Sequence, residues 1–173
     1  MLEKRRALLL ALAAWPAWPA WPFSGIAASE APANLRRWGS GEFRRFGFLI
    51  YEATLWAGDD PQQPPLLLRL DYKRDISGTD LVAASVREMR RTVADEARLR
   101  EWGERLARIF PDVKAGDHLI GDYRPEGALF VQDGRELGGI RDADFARAFF
   151  GIWLDPRTSA PGLRASLLQQ TGA

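Results

Sequence analysis

GSGEFRRFGFLIYEATLW, residues 39–56, opens on two glycines and continues as an aromatic and β-branched run that also carries charge. Read as a strand or strand pair, it alternates: Phe46, Phe48 and Ile50 face one way, Leu49, Tyr51 and Ala53 the other. Both faces are apolar, so each requires cover. Arg44, Arg45, Tyr51 and Glu52 sit among these side chains, and polar groups cost free energy when buried without partners. Two readings stay open at this point. The stretch is a core strand whose polar residues lie at solvent-facing ends, or it floors a pocket for an acidic, greasy ligand, with arginine at the entry and tyrosine at the middle.

Upstream, Lys4, Arg5 and Arg6 precede an apolar run at residues 7–14, and Gly25, Ala27 and Ala28 give a small-residue exit. That order is expected of a secretory signal peptide, and the run is too short to span a bilayer. A triple Trp-Pro repeat at residues 15–22 breaks the helix such a segment normally forms; an uncleaved membrane tether is the alternative. We therefore expect a leader at residues 1–28 and one domain at residues 29–173, about 145 residues. The whole chain carries a formal charge of +1. The leader holds three basic residues and one acidic, so its removal leaves about −1, which gives no electrostatic case for nucleic acid. The chain has no cysteine, which excludes disulfides, thiol catalysis and thiolate metal sites and suits the bacterial periplasm.

Downstream, residues 59–65 form a Pro-rich turn and residues 66–72 alternate as a further strand. Ser77-Gly78-Thr79-Asp80 fits a capping box, and the helix it starts carries Val82, Val86, Met89 and Val93 on one stripe. A second helix is expected from about Asp95 to Phe110, with Leu99, Trp102, Leu106 and Ile109 inward. Short strands follow at residues 118–123, 128–132 and 135–140, with Asp133-Gly134 a strong hairpin signal. Asp142 caps a third helix bearing Phe145, Phe149, Ile152 and Trp153, and Ser159 and Pro161 open a last one. Strands, two helices, strands and two helices make an α+β class, an antiparallel sheet with helices against one face.

The inventory for catalysis is thin. His118 is the single histidine, so no histidine pair for zinc exists, and a structural or solvent-facing role is expected of it. No nucleophile elbow, P-loop or dinucleotide fingerprint is present. Asp142 and Asp144 read as helix caps, and Arg157 as a linker residue that clamps a helix end or meets a ligand. No cofactor or metal is expected.

Four stretches carry a resemblance: residues 39–56; YKRDISG at residues 72–78; FPDVKAGD at residues 110–117; and FFGIWLDPRTS at residues 149–159. With them the chain resembles the chalcone isomerase-like family, in its exported bacterial branch. The resemblance implies an open-faced β-sandwich, a large antiparallel sheet with layered helices and a ligand cleft between them. In plant chalcone isomerases five polar groups orient the substrate. By alignment the strand threonine falls at Leu49, the tyrosine at Leu81, the asparagine at Glu88 and the late hydroxyl near Ala146. Losing such preorganised groups costs several kcal/mol of transition-state stabilisation, so ring-closing activity is not expected. The fifth group, an arginine, falls at Phe43 to Arg45, with Arg44 the first choice. Tyr51 matches the tyrosine that joins this arginine at the ligand carboxylate in the family's fatty-acid-binding members.

The resemblance thus implies an exported, non-catalytic protein binding a small hydrophobic acid such as a fatty acid. Arg44, with Arg45 beside it, and Tyr51 hold the head group. Phe46, Phe48, Leu49, Leu68, Leu70, Leu81, Glu88 and Phe149 surround the ligand. Strict alternation pairs Tyr51 with Arg45; a bulge at Gly47, which the sequence alone does not show, would return it to Arg44. Two alternatives remain: an isomerase or lyase on another enone or phenolic substrate, with Glu88 as base, and a structural envelope partner with an exposed aromatic patch around Trp153.

Overall fold

The expected order of elements is realised across residues 34–169, which a computed structural model describes. Strands β1 (Arg36–Arg45), β2 (Phe48–Ala57) and β3 (Leu66–Tyr72) lead into helices α1 (Gly78–Met89) and α2 (Glu96–Ala107). Strands β4 (His118–Arg124), β5 (Gly127–Gln132) and β6 (Arg135–Ile140) lead into α3 (Ala143–Leu154) and α4 (Pro161–Leu168). The six strands form one sheet in sequence order, each pair antiparallel. The fold is α+β, with the helices layered on one face of an open sheet. The expected leader at residues 1–28 lies outside the described residues.

Residues 39–56 are a hairpin rather than one strand. Phe46 and Gly47 form its two-residue turn, both at positive φ, 52° and 82°; this backbone twist matches that of the flanking strands. The glycines near its start lie inside β1, where α4 crosses the strand. A Cβ on Gly39 would strike the backbone of Ser166 and Leu167, and one on Gly41 the Ser166 side chain. Glycine is therefore what lets the last helix dock.

The helix caps follow the sequence signals. Ser77 Oγ accepts from Asp80 N at 3.1 Å and donates to the Asp80 carboxylate at 2.7 Å. Asp95 Oδ1 accepts from Ala97 N and Arg98 N, and Asp142 Oδ1 from Asp144 N and Phe145 N. At α4 the cap position is Ala160, with no side-chain bond, so Ser159 does not cap and Pro161 alone supplies the start signal.

Two of the four family stretches close around one junction and a third joins at the far end of α1. Ile76 and Val113 exchange backbone bonds of 3.0 and 2.9 Å, Gly78 N donates to Asp112 Oδ1, and Ala115 N to Asp75 Oδ1. Gly78 approaches Phe110 so closely that a Cβ would strike its carbonyl oxygen. The third, residues 149–159, ties back through Arg91 Nε, which donates to Arg157 O at 2.8 Å. These motifs hold α1 at both ends. Helix α1 leans on α2 and α3 and makes few direct contacts with the sheet. A space is left beneath it.

The core lies between sheet and helices, with Leu55, Leu66, Leu68, Met89, Leu99, Trp102, Phe130, Phe145 and Phe150 buried. Phe149 on α3 sits at its centre, within 5.1–6.1 Å (ring centroids) of Phe110, Phe130, Phe145, Phe150 and Trp153. Such ring pairs add about 0.5–1.5 kcal/mol each beyond their burial. On the other face Leu67, Ile120 and Val131 form a small second cluster with Leu35 and Trp56.

Candidate functional site

The space under α1 is a cleft of about 270 Å³, larger than the roughly 150 Å³ apolar cavity that suffices to hold benzene. Its floor is the sheet, through Ile50, Tyr51, Leu70, Tyr72 and Leu119. Its roof is α1, through Leu81, Ala84, Ser85, Arg87 and Glu88, and α3 closes the side with Phe149, Ile152 and Trp153. A void of about 10 Å³ beyond it shares Leu70, Leu119, Phe149 and Trp153 and is bounded by Leu68.

The register of the hairpin decides which arginine reaches this cleft. Phe43 pairs with Tyr51 and Arg44 with Leu49, so Ile50 is an extra residue, and the bulge sits there rather than at Gly47. Its carbonyl accepts from Lys73 N at 2.9 Å, and the bulge lets Ile50 and Tyr51, neighbours in sequence, both face the cleft. On β1, Phe43 and Arg45 share the cleft side. The first-choice Arg44 is corrected: it points away and pairs with Glu42 at 2.8 Å. Arg45 forms no ion pair among the described residues; its guanidinium lies 5.2 Å from the Phe46 ring centre. Phe46, Phe48 and Leu49 are likewise outside the cleft wall. Phe46 is 87% exposed and Phe48 56%, because they form the hairpin tip and not a covered strand face.

Tyr51 is held from three sides. Phe43 stacks on its ring at 4.9 Å, Tyr72 meets it edge-on at 5.9 Å, and Trp153 Nε1 donates to its hydroxyl at 3.0 Å. Because that oxygen already accepts a bond, its own proton is left to donate into the cleft. Burial pushes its pKa well above the ordinary 10.0, the Trp153 bond opposes this, and the nearby Glu88 charge adds to the rise. Tyr72 is raised too, chiefly by burial and further by Tyr51. Both stay protonated donors throughout the physiological range.

Glu88 is the anomalous member. Its Oε2 is buried with no hydrogen-bond partner among the described residues. Its Oε1 lies 3.9 Å from Arg87 Nε, at the outer limit of an ion pair. Arg91 is turned elsewhere, its Nε donating to Arg157 O. An acceptor buried this way costs free energy until something donates to it. Ser85, by contrast, satisfies itself on Leu81 O at 2.8 Å.

Of the expected site residues, the fold brings Arg45, Tyr51, Leu81 and Glu88 together and leaves out Arg44, Phe46, Phe48 and Leu49. Leu70 and Phe149 are in the wall; Ala146 is buried in the core. The roof residues Ala84, Ser85 and Arg87 and the floor residue Tyr72 were missed. The signal was present: Leu81, Ala84, Ser85 and Glu88 recur at helical spacing, a second stripe beside the valine stripe that packs against α2. Trp153 is buried on the cleft side, 7% exposed, so the aromatic patch expected of a structural partner does not form around it. His118 Nδ1 lies 2.8 Å from Asp133 Oδ1, and Arg157 pairs with Asp155. Neither lines the cleft.

Comparisons agree with this architecture. A family model described as chalcone isomerase-like matches residues 38–169. An uncharacterized protein of Haemophilus influenzae is 28% identical over 147 residues, covering 83% of this chain and 73% of that one. Among solved structures, the chain is similar to an Arabidopsis thaliana fatty-acid binding protein, with a TM-score of 0.60 at 10% identity, over 80% of this chain and 88% of that one. At that identity the likeness is one of fold.

Proposed function

The chain belongs to the chalcone isomerase-like family, and from that premise we propose that it is an exported, non-catalytic binding protein for a small hydrophobic carboxylic acid such as a fatty acid. One observation carries the reading: a single apolar cleft is lined by a guanidinium with no ion-pair partner among the described residues and by a tyrosine left free to donate. Arg45 takes the carboxylate, for which its fork geometry is suited. Tyr51 adds a neutral donor. Leu70, Leu81, Ile152 and Phe149 take the tail by apolar burial, worth about 25 cal/mol per Å². The fatty-acid-binding role of the Arabidopsis neighbour supports the ligand class. The periplasm is the proposed location, supported by the leader pattern and the absence of cysteine.

Titration calorimetry with a medium-chain fatty acid tests the assignment. Arg45→Ala is expected to weaken binding about 10-fold or more, since a hydrogen bond to a charged group contributes about 1.5–3 kcal/mol and the mouth is open to solvent. Arg44→Ala is expected to bind as the parent does. Equal affinity in the parent and Arg45→Ala would remove the assignment.

A second reading is favoured by the unpartnered Glu88 Oε2. A buried acceptor facing a bound molecule is placed to take a proton from it, as an isomerase or lyase acting on an enone or phenol requires. Turnover of a chalcone-type enone by the parent and not by Glu88→Gln would establish it; no turnover by either leaves the binding reading.

A further inference from the structure

Phe46 and Phe48, which the cleft does not use, stand together at the tip of the β1–β2 hairpin. Phe46 and Phe48 are the exposed large hydrophobics among the described residues. A single exposed phenylalanine is ordinary on a soluble protein. Phe46 is not ordinary, because it also sits at φ 52°. A bulky residue there is disfavoured by about 1–2 kcal/mol, and asparagine, aspartate or glycine is the usual occupant. The tip is thus disfavoured twice over, by backbone and by solvation, and residues kept in such conformations gather at functional sites.

The charge around the tip has one sign once local pairs are removed. Arg44 is neutralised by Glu42 and Lys73 by Glu52. Arg45 and Arg74 have no ion-pair partner among the described residues; each is placed against a tip ring, Arg45 5.2 Å from Phe46 and Arg74 4.5 Å from Phe48. Two rings, each backed by a guanidinium, match an anionic bilayer surface: the rings enter below the head groups and the cations meet the phosphates. Attraction of this kind contributes about 1 kcal/mol per basic residue near the surface.

We propose that the β1–β2 hairpin tip docks on anionic phospholipid, with Phe46 and Phe48 as the inserting residues and Arg45 and Arg74 as the phosphate-facing ones. Docking brings the cleft mouth to the lipid, since Arg45 belongs to both the tip and the cleft wall. That consequence rests on the binding role proposed above; docking itself does not.

The cysteine-free chain allows a direct test. The full chain carrying Phe46→Cys is labelled with an apolar, environment-sensitive fluorophore that stands in for the phenyl ring. A second labelled protein carries Glu126→Cys in the β4–β5 turn, at the far end of the sheet. Vesicles of phosphatidylcholine with phosphatidylglycerol are expected to shift the Phe46→Cys label to the blue and raise its intensity several-fold. The effect should fall in high salt, in pure phosphatidylcholine and in the added variants Phe48→Ser or Arg74→Ala, while the Glu126→Cys label keeps its aqueous emission. Aqueous emission from both labels, an equal response of both, or a Phe46→Cys response untouched by Phe48→Ser would each overturn the proposal. Fatty-acid titration in solution is independent of lipid, so failure of docking and failure of the binding role are separately visible.

Discussion

Two hairpin turns stand at the same end of the sheet, at its opposite edges, with nearly the same backbone and opposite chemistry. Phe46–Gly47 has φ 52° and 82°; Asp133–Gly134 has φ 48° and 81°. In the second the side chain serves the fold, since Asp133 Oδ1 accepts from His118 N at 3.1 Å and lies 2.8 Å from its ring Nδ1. In the first the side chain faces solvent: Phe46 is 87% exposed, with the Arg45 guanidinium against its ring at 5.2 Å. The same geometry is thus occupied once by the residue stability prefers and once by a residue it disfavours. The difference sets the β1–β2 turn apart, beside Arg45 in the cleft wall, as the place where the proposed function would sit.

That contrast can be broken by exchanging residues. Asp133→Phe should cost most, about 2–3 kcal/mol, because it adds a bulky left-handed residue and removes the His118 bonds; thermal unfolding reads it. The reverse change, Phe46→Asn, should stabilise by about 1 kcal/mol by relieving the same strain while removing one inserting ring. A destabilised Phe46→Asn variant would mean that the tip is structural after all.

The cleft beside the first turn gives subtler tests. Tyr51→Phe leaves the Trp153 indole N–H without its acceptor, which should cost about 1–3 kcal/mol of stability and weaken acid binding a few-fold. Tyr51 and Tyr72 have pKa values raised above 10.0 by burial. The folded state therefore keeps protons that the unfolded state has lost, so stability is fully present below pH 10 and falls as pH rises beyond it. The double variant Tyr51→Phe/Tyr72→Phe should flatten that alkaline decline in a pH series of melts. Asp142 works in the opposite sense. Burial alone would raise its pKa, but bonds from Phe145 N, Trp102 Nε1 and Asp144 N outweigh this and hold it below the usual carboxylate value. Its contribution is present above the unfolded pKa and is lost as pH falls through the folded one. Asp142→Ala should abolish that acid-side loss and lower stability at neutral pH by about 1 kcal/mol.

How far the sequence could be read follows from these residues. Ser77, Asp95, Asp142 and Asp133-Gly134 are locally optimal choices, so each announces its own cap or turn, and the element order and family stretches were legible with them. Phe46-Gly47 was not, because an aromatic in a turn position looks like more strand. The bulge at Ile50 leaves no composition signal either, since any residue can be the extra one. Those two hidden features set the parity of the hairpin, and parity alone decides between Arg44 and Arg45. Part of the cleft roof, Ala84, Ser85 and Arg87, was passed over for another reason: α1 carries two stripes, and the more apolar one packs on α2.

The most direct measurement is native mass spectrometry of the protein purified gently from a bacterial periplasm, beside Arg45→Ala and Arg44→Ala handled identically. A co-purifying hydrophobic acid in the parent and in Arg44→Ala, absent from Arg45→Ala, is the predicted result. A parent protein that carries no acid and takes up none when fatty acids are added would contradict the binding role at its centre.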